Sequence, residues 1–126
     1  MNHFNSKSGL IVVTCNIIGP SGNRYARLAL DTGATSTIIC KEIVVAIGYD
    51  PESLADYVKI TTGSGVETTV RLNVARIEAL GQSREVFPII AHTLPPTAAV
   101  DGLLGLDFFR DHILTLDFKN GQIGLE

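Results

Sequence analysis

One acidic residue, Asp31, lies between two apolar segments of the chain, and this placement limits what the chain can fold into. The apolar segments are residues 28–30 and 36–40. They are expected to hold Asp31 near the interior, because apolar segments are normally covered by other elements. An unpaired carboxylate in such a place is costly, so the fold must supply a partner for it. One such partner is a second carboxylate, since two neighbouring carboxylates cannot both ionise cheaply and instead share a proton.

The composition fits a single globular domain made mostly of strands. The chain has 126 residues, of which 45% are hydrophobic and 18% are charged, and this length suits one domain. Val, Ile, Leu and Thr outweigh Glu, Lys and Gln, a bias that favours strands over long helices. We therefore expect an all-β, single-domain, barrel-like fold with one or two short helices. Residues 1–9 are predicted to be a flexible segment and residues 10–126 the domain.

Alternating apolar residues and turn signals predict the order of the elements. A glycine-rich turn at residues 19–23 separates two strands and indicates a hairpin. Gly63-Ser64-Gly65 is expected to form the end of a second hairpin. Short helices are predicted over residues 41–47 and 106–112 from their apolar spacing. Strands are predicted over residues 10–18, 25–30, 36–40, 58–62, 67–77, 85–92, 113–118 and 122–125.

Charge, hydropathy and cysteine usage exclude several classes of function. The formal net charge is −3 and Lys and Arg form no cluster, so no nucleic-acid partner is indicated. The first apolar run, residues 10–18, is too short and too polar to span a membrane. Cys15 and Cys40 lie inside apolar stretches and are interpreted as reduced core residues. Reduced cysteines without a secretory signal predict a cytoplasmic protein.

Other possible sites are better explained as structure. Gly63-Ser64-Gly65 lacks the following Lys and the strand-to-helix context of a phosphate-binding loop. Asp101 and Asp107 are interpreted as a turn residue and a helix-start residue whose carboxylate caps free N–H groups. The histidines do not have metal-ligand spacing, so neither a metal nor another cofactor is predicted; they are His3, His92 and His112.

The segment that begins at Asp31 has the residue types that a shared-proton pair requires. In such a pair, the ionised oxygen takes a proton from water while the protonated one donates to the carbonyl of the bond that is cleaved. Gly33 permits a tight turn that brings backbone N–H groups close to the carboxylate. Thr32 supplies a hydroxyl that can hold two such loops in register.

The chain resembles the retropepsin-like aspartic proteases from about residue 10 to residue 125. Asp31-Thr32-Gly33-Ala34 is similar to their active-site motif, and Asp31 is the implied catalytic residue. The resemblance implies that an apolar segment supports the catalytic loop from below, consisting of Leu103, Leu104 and Gly105. It also implies a substrate-covering flap formed by Thr62, Gly63, Ser64, Gly65 and Val66. The implied fold is the closed barrel of these proteases.

The sequence also departs from the retroviral members of that family. Those members often have an acidic residue and an Arg that pair, at the positions where this chain has Thr35 and Leu106. The Gly105-Leu106-Asp107 version looks closer to bacterial single-domain relatives and to the protease domain of DNA-damage-inducible ubiquitin-shuttle proteins. A second Asp-Thr/Ser-Gly motif is missing from the sequence. The second carboxylate is therefore expected from another copy, in a homodimer.

Three functions follow as hypotheses from this sequence. The first is an aspartic endopeptidase that acts on polypeptides through paired Asp31 carboxylates and is more active at acidic than at alkaline pH. The second is a non-catalytic module of the same fold, which dimerises or binds a peptide without cutting it. The third is a ligand-binding barrel, which would require an exposed Asp31 far from its symmetry mate.

Overall fold

The chain folds into a barrel that is built almost entirely from strands. The structure is a computed structural model, and it describes residues 2–53, 57–63 and 65–126. Two short helices, α1 (Lys41–Ala46) and α2 (Leu106–Phe109), accompany the strands, with a single 3₁₀ turn at Pro51–Ser53. The strands are β1 (Asn2–His3), β2 (Val12–Gly19), β3 (Gly22–Leu30), β4 (Ile38–Cys40), β5 (Tyr57–Thr62), β6 (Gly65–Ala79), β7 (Gln82–His92), β8 (Gly102–Leu104), β9 (Leu114–Asp117) and β10 (Gln122–Leu125).

Six strands close the barrel. Their hydrogen-bonded order is β2, β3, β8, β4, β7 and β6, and β6 returns to β2 through pairs such as Ile17↔Ile77. Closure leaves the ring without a free edge between these strands. The predicted closed, all-β barrel with two short helices is therefore confirmed.

The barrel interior holds the apolar side chains that alternate along the strands. Phe108 and Phe109 of α2 are both buried, and their rings meet edge to face, so α2 packs on the core. Cys15 and Cys40 are free and buried, as predicted. Burial raises the pKa of the Cys15 thiol to about 12 and also raises that of Cys40. The cytoplasmic location inferred from these thiols stays a prediction.

Both hairpins that were predicted from turn signals are present in the structure. β2 and β3 pair in full register from Val12↔Ala29 to Gly19↔Gly22, which confirms the first hairpin. β5 and β6 form the second, from Tyr57↔Val70 to Thr62↔Gly65. β6 continues past this hairpin to Ala79 and also pairs with β7, so a single long strand joins the hairpin to the barrel wall.

The ends of the chain form a separate small sheet in the order β1, β10 and β9. Asn2 pairs with Ile123, and the N–H of Phe4 donates to the carbonyl oxygen of Gly121 at 2.9 Å. The first residues therefore bind the C-terminal hairpin in this structure, while their predicted flexibility stays a prediction. Helices with the length and apolar character of a membrane span are missing from the described part of the chain.

Candidate active site

The loop that begins at Asp31 is fixed by the backbone on both sides. β3 ends at Leu30, which pairs in parallel with Leu104 of β8. The N–H of Asp31 extends this pairing by donating to the Leu104 carbonyl oxygen at 3.0 Å. The chain then turns, and the N–H of Ala34 donates to the Asp31 carbonyl oxygen at 3.1 Å. The position of Asp31 is therefore set by two neighbouring barrel strands.

The Asp31 carboxylate is held through one oxygen and open at the other. Oδ1 accepts a hydrogen bond from the N–H of Gly33 at 2.9 Å. Among the described residues, no hydrogen bond reaches Oδ2. A Cβ at position 33 would lie 3.1 Å from Oδ1, so glycine best allows this close approach. The side chain is half-buried rather than enclosed in the core, and it lines a cleft on the surface.

The apolar segment with Leu103, Leu104 and Gly105 lies directly under this loop. Leu104 is fully buried, and Leu103 lines the cleft beside Asp31. A Cβ on Gly105 would lie 2.7 Å from the backbone of Ser36, so only glycine lets the two segments come this close. The N–H of Leu106 then donates to the Ala34 carbonyl oxygen at 2.8 Å. The structure thus brings the two motifs of the sequence together.

A side-chain link that sequence reasoning missed ties the loop to α2. The Thr37 hydroxyl donates to Oδ1 of Asp107 at 2.7 Å and accepts from the N–H of Gly105 at 3.1 Å. The N–H of Thr37 donates to the other oxygen of Asp107 at 3.0 Å. Thr37 is fully buried, so these bonds form away from bulk water. In the sequence Thr37 lies between Ser36 and Ile38, and this placement gave no signal of its role.

Asp101 and Asp107, which were interpreted from the sequence as structural, both make hydrogen bonds within the fold. Asp107 lies in the first turn of α2 as predicted, but its carboxylate does not cap the helix; it binds Thr37 instead. Oδ2 of Asp101 accepts from the backbone N–H of Arg27 at 2.8 Å. The N–H of Cys40 donates to the carbonyl oxygen of Asp101 at 2.8 Å. Both acids therefore connect strands and loops, and neither lines the cleft with Asp31.

The cleft in front of Asp31 has a volume of about 510 Å³. Its floor is the Asp31 loop and its walls come from β4, β8, β7 and the β5–β6 hairpin. The described lining residues are Asp31, Gly33, Ala34, Thr35, Ser36, Ile38, Lys59, Thr61, Arg71, Ile90 and Leu103. An open cleft that combines apolar walls with a few polar groups is the usual form of a ligand site.

The predicted flap residues lie at the end of the β5–β6 hairpin. Thr62 pairs with Gly65 as the last pair of the hairpin, Gly63 is exposed and Val66 is 68% exposed. Ser64 lies outside the described residues. Lys59 and Thr61 of the same hairpin reach the cleft, whereas the tip residues are not part of its described lining.

The three residues that follow Asp31 are at least partly accessible in the single chain. Thr32 and Gly33 are both exposed, and Ala34 is half-buried. Within the described residues, groups of three or more His, Cys, Asp or Glu that could hold a metal ion are missing. The described groups at the centre of the site are the Asp31 carboxylate and the N–H of Gly33 that bonds to it.

Comparisons with known proteins agree with this arrangement. A family described as "gag-polyprotein putative aspartyl protease" matches residues 21–111. The crystal structure of a retropepsin-like aspartic protease from Rickettsia conorii superimposes with a TM-score of 0.69 at 17% identity, covering 98% of this chain and 85% of that one. Among curated proteins, none matches the chain significantly. The finer likeness to DNA-damage-inducible shuttle proteins stays a prediction.

Proposed function

The chain belongs to the gag-polyprotein family of aspartyl proteases and has a retropepsin-like fold, and from this premise we propose that it is an aspartic endopeptidase whose active site is assembled from two copies of Asp31. The observation that carries the proposal is the state of this carboxylate. One oxygen is held by Gly33, the other accepts no bond from the described residues, and Asp31 lines an open cleft.

The proposed reaction is hydrolysis of a peptide bond by an activated water. Two Asp31 carboxyl groups, one from each subunit, share a single proton between them. The ionised group takes a proton from the water, which attacks the peptide carbonyl carbon while the protonated group donates to the carbonyl oxygen. In the collapse of the tetrahedral intermediate the C–N bond breaks, the carboxyl pair donates its proton to the leaving nitrogen, and it takes one back from the hydroxyl whose oxygen becomes the new carbonyl. The Gly33 N–H supports this role because it fixes the orientation of the carboxylate.

Three features of the single chain support assembly from two copies. The sequence contains one Asp-Thr-Gly motif. The carboxylate of Asp31 is only half-buried, and its neighbours Thr32 and Gly33 are exposed. A second copy related by a two-fold axis would cover all three residues and supply the missing carboxylate, since such an interface places the same patch on both subunits. The homodimer is therefore part of the proposed active site.

The substrate is proposed to be an extended polypeptide that lies between the cleft floor and the β5–β6 hairpin. Extended peptides bind by adding main-chain hydrogen bonds beside existing strands, with pockets taking alternate side chains. Ile38, Ile90 and Leu103 give the cleft apolar walls, and Val66 presents an exposed apolar side chain near the hairpin end. These residues support an occupant with apolar side chains near the bond that is cleaved.

Purified protein is expected to cleave casein, and pepstatin is expected to inhibit it. Cleavage should be faster at acidic than at alkaline pH, because the pair of carboxyl groups must retain one proton. The measurement is release of acid-soluble peptides over a pH series, with and without pepstatin. A dimer that binds peptides but leaves casein and a peptide library intact at every pH would instead support the non-catalytic module.

Mixing wild-type subunits with Asp31→Asn subunits is expected to lower activity by more than the dilution of the wild-type subunits alone. After subunit exchange at equal amounts, random pairing leaves about one quarter of the dimers with two wild-type copies. Activity per total dimer should therefore fall to about one quarter of that of the pure wild type. A fall to one half would mean that each subunit carries its own complete site. Sedimentation analysis of the same samples checks that the variants exchange and pair.

A further inference from the structure

A row of side chains crosses the sheet from the Asp31 loop to a basic residue, Arg71. The strand registers pair Leu103 with Ile38, Ile38 with Ile90, and Ile90 with Arg71. Residues that are directly opposite on neighbouring strands project to the same face of a sheet. All four line the cleft. The apolar wall beside Asp31 therefore ends at Arg71.

Arg71 also lines a second cavity that continues from the cleft. This cavity has a volume of about 420 Å³ and shares Thr35, Ser36, Arg71 and Ile90 with the first. Arg110 lies in its wall, while Lys59 lies in the wall of the first cavity. Three cationic side chains thus follow one continuous groove that leads away from Asp31.

These cations have few acidic partners. Among the described residues, the ion pairs join Lys41 to Glu52 and Arg76 to Glu78, so neither Arg71 nor Lys59 is neutralised by one of them. Among the described lining residues, the second cavity holds one acid, Asp107, whose two oxygens accept hydrogen bonds from Thr37, and the first cavity holds Asp31. In the described lining of the two cavities, three cations thus outnumber two acids, although the chain has a net charge of −3.

We propose that this groove, centred on Arg71, selects polypeptides that carry an acidic side chain at a distance from the bond that is cleaved. The inference rests on the proposed function, because it assigns a specificity to the same cleft. An acidic side chain next to Asp31 would be repelled by the shared-proton pair, whereas one beside Arg71 would be attracted by three cations. Lys59 in the first cavity and Arg110 in the second add to that attraction.

The strand spacing gives the position of the acidic residue. Three interstrand steps separate Leu103 from Arg71, which corresponds to roughly 14 Å at about 4.8 Å per step. An extended peptide rises about 3.3 Å per residue, so this distance corresponds to about four residues. The preferred acidic side chain is therefore expected about four residues from the cleaved bond. Specificity should be weaker at positions next to that bond.

The test uses a set of peptides built on a sequence that the protein cleaves. Glu, Gln or Lys is placed in turn at each position from one to five residues on either side of the cleaved bond. At the position that contacts Arg71, Glu should give a roughly fivefold to tenfold higher kcat/KM than Gln, and Lys a lower one. The advantage of Glu should shrink as salt is raised from low to physiological and higher ionic strength.

Three substitutions at position 71 are expected to show whether the charge of Arg71, and not its size, determines the preference for acidic peptides. Arg71→Gln should remove the preference for Glu, so that the Glu and Gln peptides are cleaved with similar kcat/KM. Arg71→Lys should retain most of the preference, and Arg71→Glu should favour the Lys peptide. Arg24→Gln is the matched control, since Arg24 is exposed on β3 and belongs to neither cavity. It should retain the wild-type preference.

The outcomes distinguish this inference from the function on which it rests. Cleavage of Glu, Gln and Lys peptides at equal rates, at every position, would overturn the acidic preference and leave the protease intact. A preference that survives unchanged in Arg71→Gln would also overturn it. Fluorescence anisotropy with the Asp31→Asn protein measures the same preference as binding, so the inference is testable without catalysis. Equal affinity for Glu and Lys peptides in that measurement would refute it.

Discussion

Asp31→Asn is expected to abolish peptide hydrolysis, with kcat/KM at least roughly 10³-fold below that of the wild type. The amide can neither accept the proton of the attacking water nor share a proton with a second carboxyl group. The amide oxygen can still accept the N–H of Gly33, which now bonds Oδ1 at 2.9 Å, so the loop should keep its shape. The measurement is the initial rate of casein or peptide cleavage at the pH of maximal wild-type activity.

The control must show that the loss is chemical and not structural. Asp31→Asn should retain the oligomeric state, the circular dichroism spectrum and the melting temperature of the wild type. Asp111→Asn is a matched substitution at an exposed residue outside the cleft. Asp111 has a φ of 65°, a conformation that Asn also tolerates, and this variant should remain fully active. Wild-type cleavage rates in the Asp31→Asn protein would refute the proposed mechanism.

The Asp31 loop could be predicted from the sequence because its defining contacts are local. The apolar residues before the carboxylate form β3, and the turn closes within three residues through Gly33 and Ala34. The acid, the glycine and the turn all lie within the four residues Asp31–Ala34. The β2–β3 hairpin was predictable for the same reason, since its two strands are joined by a short turn.

The strand β8, in contrast, could not be recognised as a strand from its own residues. Gly102–Leu104 spans three residues, and it pairs in parallel with β3 and antiparallel with β4. A Cβ on Gly102 would lie against the carbonyl oxygen of Ile38, so its glycine serves a contact with a residue more than sixty positions away. Such pairing depends on the closed barrel and not on local propensity.

The basic groove was missed for a related reason. Lys59, Arg71 and Arg110 are widely spaced in sequence and form no charge cluster there. Only the registers of β6, β7, β4 and β8 place Arg71 on the same face as the apolar cleft wall. A search for clusters of Lys and Arg along the sequence could therefore not find this groove.

For Asp107 the sequence predicted the right position in α2 but the wrong hydrogen-bond partner. Acids in the first turn of a helix often cap its free N–H groups, and Asp107 does lie there. In the structure, however, its carboxylate is saturated by the N–H and hydroxyl of Thr37. Since these two residues are seventy positions apart, the bond is invisible to any reading of neighbouring residues. The bond also suggests a test of whether Thr37 positions the Asp31 loop.

Thr37→Val is accordingly expected to lower both stability and turnover. Valine has a similar shape, but it leaves the Gly105 N–H buried without its acceptor and removes one bond to Asp107. Unsatisfied buried groups of this kind cost roughly 2 to 4 kcal/mol in free energy of unfolding. Urea denaturation should therefore show a lower midpoint with an unchanged slope.

Turnover should fall because the same bonds hold the loop that carries Asp31. A displacement of about 1 Å in catalytic geometry can cost 10²-fold in rate, so kcat should drop roughly 10- to 100-fold at temperatures where the variant is folded, with little change in KM. Thr37→Ser keeps the hydroxyl and should restore most of kcat, although it loses a buried methyl group. If Thr37→Val kept the wild-type kcat while losing stability, the Thr37–Asp107 link would serve the fold alone, and the position of Asp31 would have to be set by the backbone bonds to Leu104 and Leu106.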